Sequence, residues 1–216
     1  MSDNSSVDAQ QQELAELKQR VQQLEAEIRG QQTTQPAQWP PQNFYADYYA
    51  YSGAVLGGVA AMVSLLVNVI GAPVANKSAL ELIRIYLTFP MGEKALELSS
   101  DAGGLTLMLG CCLYLITGMV LGVPIYWLLM RMCGTTSTLG KRLVVASILA
   151  IGLWIVSYYA ILSWLQPMLF GGNWITDPSL LPPWVAAGTH LLFGWVIALL
   201  APWGQFQPYR RPTAEA

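Results

Sequence analysis

His190 is the single histidine of the chain, and it lies inside an apolar run, Pro182 to Ala201, that is long enough to cross a bilayer. No other residue in the long apolar runs titrates near neutral pH. An imidazole at that depth could ligate a haem, pass a proton or hydrogen-bond a quinone head. A structural role competes with these, because neutral imidazole is cheap to bury beside Lys or Asp and one hydroxyl or carbonyl satisfies it. A second histidine for bis-His ligation is lacking, and the apolar runs contain no acidic residue to complete a proton relay. His190 is therefore the one candidate for cofactor binding, and the balance favours a structural residue.

Little else in the chain reads as chemistry. There is no phosphate-cradling glycine loop, no Gly-x-Ser-x-Gly elbow and no His-Glu-x-x-His pair. Ser64, Ser147, Ser157 and Ser163 have no base at a readable spacing. Cys111, Cys112 and Cys133 form no C-x-x-C pair and suit packing better than a disulfide or a metal. We expect no catalytic residue, no metal and no resident cofactor.

The elements that would position His190 follow from composition. Of 216 residues, 54% are hydrophobic and 11% charged, roughly half the charged share of a soluble domain. All 13 acidic and 11 basic residues fall outside four long apolar runs, at about 51–70, 105–130, 143–165 and 184–201. The expected fold is all-α, a four-helix transmembrane bundle with an N-terminal coiled-coil helix. A net charge of −2 argues against a nucleic-acid partner. The N-terminus has no signal-peptide pattern, so the first run is expected to drive insertion itself.

Residues 1–30 carry the coiled-coil pattern. Val7, Leu14, Val21 and Ile28 repeat every seven residues, with Leu17 and Leu24 at the alternate core position. Gly30 is expected to stop this helix. A linker over 31–50 bears Pro36, Pro40 and Pro41 and then Trp39, Phe44, Tyr45, Tyr48 and Tyr49, aromatics of the type the headgroup layer selects.

In the membrane domain, 51–203, small residues recur at helical spacing. Gly53, Gly57, Ser64 and Asn68 mark one face of the first run, and Gly110, Gly118 and Gly122 one face of the second. Gly194 is a further packing position in the fourth, and Asn68 is placed to hydrogen-bond a neighbouring helix. Pro124 is expected to kink the second run, and Pro167 to close the third.

The 71–103 loop contains Ser78-Ala79-Leu80-Glu81, a capping-box spacing, with Leu80, Ile83 and Leu87 on one face and Pro90 at the end. This predicts a short helix at the membrane surface, either a lid over a cavity or, more simply, an interfacial spacer, with another short helix near 93–98.

Orientation follows from cations. Lys18, Arg20, Arg29, Arg131, Lys141, Arg142, Arg210 and Arg211 lie on one side of an even number of spans, and Lys77, Arg84 and Lys94 on the other. Both termini, including the tail from 204 to 216, are therefore expected in the cytoplasm, with the chain multi-pass in a cell (inner) membrane.

Several motifs together carry a family likeness. They are Gly71-Ala72-Pro73 after the first run, Trp127 near the end of the second and Trp154 in the third. Pro167, Gly171 and Gly172 follow, and then Thr189-His190-Leu191-Leu192-Phe193-Gly194. In this order the chain, over roughly 50–203, resembles the small four-span bacterial inner-membrane proteins related to YagU. The coiled coil and the long first loop depart from that pattern. The resemblance implies a topology and no settled activity.

The functional expectation is a non-enzymatic membrane protein that assembles by helix packing and a coiled coil, with itself or as a subunit of a larger membrane complex. The alternative is a small transporter, channel, or haem- or quinone-binding protein built around His190, Asn68 and Thr189.

Overall fold

The computed structural model describes residues 3–34, 45–75, 77–98 and 104–207. Two units are distinguished: one holds the N-terminal helix, the other runs from Phe44 to Gln207.

The N-terminal helix spans Asp3–Thr34. Its Gln, Glu, Ala and Leu content favours helix, and no proline interrupts it. Gly30 does not stop it, contrary to expectation. One internal glycine costs about 1 kcal/mol, and the flanking residues carry the helix through. Leu14, Leu17, Val21, Leu24 and Ile28 are all between 50% and 58% exposed, a stripe left uncovered along the helix. The proline-bearing segment with Pro36, Pro40, Pro41, Trp39 and Phe44, and the tail with Arg210 and Arg211, lie outside the described residues.

In the second unit four helices are long and apolar enough to cross a membrane: Ala46–Gly71, Gly104–Cys133, Leu139–Phe170 and Pro183–Gly204. The chain is thus an all-helical membrane bundle, and its outward side chains, such as Leu66, Val120, Ile148 and Trp184, suit lipid. Pro124 sits within the unbroken second helix, where a membrane bundle tolerates the lost bond. Pro167 does not close the third span, which continues to Phe170 and ends on Gly171 in the left-handed conformation.

The most extensive contact joins the first and second spans. A Cβ on Gly57 would stand 2.4 Å from the Gly118 carbonyl oxygen, and one on Gly122 would stand 2.3 Å from that of Gly53. Here the two backbones touch, which only glycine permits. Gly194 makes the corresponding approach between the fourth and third spans, where a Cβ would meet Ala150 Cβ at 2.8 Å and the Ala146 oxygen at 3.0 Å. The glycines at 53, 57, 118, 122 and 194 are therefore spent on contacts inside one chain.

Tyr126 is fully buried and donates to the Ala201 carbonyl at 2.9 Å, tying the second span to the end of the fourth. Tyr45 and Tyr48 stack on Phe206, which holds the start of the first span against the end of the fourth. Tyr49 is buried in this cluster.

The loop helix, Glu81–Met91, differs most from expectation. It starts after Leu80, so Ser78 is not its N-cap, and it contains Pro90. A single 3-10 turn, Gly92–Ala95, follows in place of a second α-helix. Ile83, Ile85, Leu87 and Thr88 are all buried. Ile83 and Leu87 press on Gly110 of the second span, where an added Cβ would meet Ile83 Cγ2 at 2.5 Å. Apolar residues on more than one face drive it into the bundle, so it is a wall of the structure and not a surface spacer.

Candidate functional site

Several polar side chains facing the inside of the bundle collect around His190. On the first span, Ser64 and Asn68 lie a helical turn apart. Ser64 Oγ donates to the Ala61 carbonyl at 3.0 Å and lies 2.9 Å from the Tyr114 hydroxyl of the second span. The single serine proton is spent on Ala61, so Tyr114 is the donor to Ser64. Asn68 Nδ2 donates to the Ser64 carbonyl at 2.7 Å and to Thr189 Oγ1 of the fourth span at 3.1 Å. The small stripe of the first span is thus a polar seam binding two neighbouring spans.

His190 itself follows Thr189 on the fourth span. Its Nδ1–H donates to the Ala186 carbonyl of its own helix at 2.8 Å. A carbonyl can only accept, so this bond fixes the proton on Nδ1 and leaves Nε2 as a bare acceptor in the neutral ring. This is the one hydrogen bond of the His190 side chain among the described residues.

His190 lines a cavity of about 220 Å³ together with Tyr86, Tyr114, Thr117, Ser157, Tyr158 and Thr189. A recess of about 30 Å³ adjoins it, with Ser64, Gly118 and Phe193 in its wall. No Asp, Glu, Lys or Arg lines either space. A larger apolar groove, about 430 Å³, runs between the ends of the first and fourth spans and shares Leu82, Leu181 and Thr189 with the cavity. Only there do charges occur, Lys77 and Glu81.

Three features hold the cavity open. The loop helix supplies Tyr86, whose ring lies 4.8 Å from that of Tyr114. Burial and the neighbouring Tyr114 push the Tyr86 phenol above its ordinary range, so it keeps its proton, and it has no hydrogen-bond partner among the described residues. The third span supplies Ser157 and Tyr158 from a π-helical segment, Val156–Leu162. Such wide turns redirect side chains and are frequent at functional sites. A fully buried amide then clamps the walls. Gln166 donates to Thr88 Oγ1 of the loop helix at 2.9 Å, and its oxygen accepts from the Ile175 N–H at 2.9 Å.

Of the positions singled out from sequence, Ser64, Asn68 and His190 come together here. Gly53, Gly57, Gly110, Gly122 and Gly194 lie at helix crossings outside the cavity, while Gly118 borders the recess. Tyr86, Tyr114, Tyr158, Thr88 and Gln166 were missed. Only Gln166, an amide at the end of an apolar run, carried a usable signal. The cysteines are free, and no cluster of His, Cys, Asp or Glu suited to a metal occurs among the described residues.

Set against known families, characterised proteins and solved structures, the chain matches none. The likeness to the YagU-related proteins rests on its short motifs alone.

Proposed function

We propose that this chain is a self-assembling membrane protein whose bundle anchors copies in one orientation and whose N-terminal helix pairs them. One observation carries this reading: an apolar stripe with coiled-coil spacing, Leu14, Leu17, Val21, Leu24 and Ile28, is half exposed along an unbroken helix. Exposed apolar surface repeated every three and four residues is what a partner helix covers.

Charge favours a second copy in parallel register. With Val7, Leu14, Val21 and Ile28 at the first core position, Glu13 faces Lys18 of a parallel copy and Arg20 faces Glu25. β-Branched residues at that position with leucine at the other favour two strands. About three heptads are marginal for a free peptide. Anchoring to one membrane face raises the effective concentration and aligns the chains. Both termini are assigned to the cytoplasm on the distribution of cations.

The mass of the intact protein in nanodiscs tests this. Two copies per particle are expected for the native chain and one for Leu17→Asp with Leu24→Asp. An unchanged mass in that variant contradicts coil-driven assembly.

A further inference from the structure

We propose that the cavity beside His190 binds the ring of a neutral hydroxyl-bearing lipophile, a quinol or related phenol, through His190 Nε2 and the Tyr86 hydroxyl. The observations are independent of the coiled coil.

Polarity selects the ligand. His190 Nε2 can only accept, since Nδ1 holds the ring's proton against Ala186. The hydroxyl of Tyr86 retains its proton and has no hydrogen-bond partner among the described residues. Of the other hydroxyls in the lining, Tyr114 donates to Ser64, Thr117 to the Leu113 carbonyl at 2.8 Å, Tyr158 to the Thr176 carbonyl at 3.1 Å and Thr189 to Asn68 Oδ1 at 3.3 Å, while Ser157 has no such bond among the described residues and is a second small donor at the wall. His190 and Tyr86 thus line one space and offer an acceptor and a donor that lack partners among the described residues. A phenolic hydroxyl complements both, donating to Nε2 and accepting from Tyr86. A quinone carbonyl accepts only, and would leave Nε2 unpaired in a low-dielectric site.

Charge and size narrow the class further. With no ionic residue in the lining, neither a phosphate headgroup nor a carboxylate is compensated. About 220 Å³ accommodates one substituted ring. The remaining wall is apolar and aromatic, through Leu82, Leu121, Ile161 and Leu181 among others, and suits a ring face. The proposal concerns binding and includes no electron transfer.

The test is a titration of the full-length protein in nanodiscs with a short-chain alkyl hydroquinone, its dimethyl ether and the corresponding quinone, read by quenching of intrinsic fluorescence. Saturable binding of the hydroquinone is expected, about tenfold tighter than either relative, because each of them loses a hydrogen bond. Tyr86→Phe and His190→Leu should each weaken it about tenfold, and Tyr159→Phe, a change on the exposed face, should not. If His190→Leu does not fold, Tyr86→Phe decides alone. Equal binding of hydroquinone and ether, native affinity in Tyr86→Phe, or no saturation by the hydroquinone overturns the assignment.

Discussion

Gly57 and Gly122 occupy each other's side-chain space: a Cβ on Gly57 would lie 2.7 Å from the Gly122 Cα, and one on Gly122 would lie 2.5 Å from the Gly57 Cα. The first and second spans are therefore joined backbone to backbone within one chain. Dispersion over such a contact, and not hydrophobic burial, holds helices together in lipid.

Substitution there should cost folding and not assembly alone. Gly57→Ala must push the Gly118 carbonyl away from 2.4 Å, and backbone does not yield cheaply. We expect about 1–3 kcal/mol of destabilisation, the usual cost of overpacking. Thermal unfolding in detergent measures it, with Gly188→Ala, where nothing lies within 4 Å of the new Cβ, as the neutral comparison.

The Gln166 amide should matter as much as any apolar contact near the cavity. Gln166→Leu strands the Ile175 N–H, a buried donor, and removes a partner of Thr88. An unsatisfied buried donor costs about 1–3 kcal/mol. The matching observation is faster amide hydrogen exchange across 81–91 and 171–182, with the first span little changed. Uniform loss of protection would show that Gln166 supports the whole bundle and not this wall.

What the sequence could convey depended on the property concerned. Hydropathy marked every span because a bilayer tolerates no charged run, and the glycines at 53, 57, 118 and 122 were visible because helix spacing aligns them. His190 stood out as the one titratable group at depth. The partners of these residues were not legible, because periodicity says which face is small or polar and not which helix it meets. So the Gly stripes read equally well as surfaces for another chain. Tyr86 was hidden for a different reason: its helix is short and lies between spans, which looks like an interfacial segment until Ile83 and Leu87 are seen against Gly110. Pro167 misled as a stop signal, since a helix packed in a membrane bundle tolerates the backbone bond that proline removes.

Topology is checked by fusion of a reporter active only outside the cytoplasm. Silence after Thr136 and activity after Asn173 are expected from the cations at Arg131, Lys141 and Arg142. The reverse pattern would invert the bundle and place the N-terminal helix on the opposite face.

Disulfide cross-linking through Leu17→Cys, in a chain whose Cys111, Cys112 and Cys133 are replaced by alanine, tests self-assembly most directly. Leu17 is 58% exposed and sits at a core position of the heptad pattern, so two parallel copies would bring these positions face to face. In native membranes the account predicts efficient cross-linking between like chains, and little from Gln19→Cys on the outer face of the same helix. Cross-linking of Leu17→Cys to a different protein, or equal yields at both positions, would contradict it.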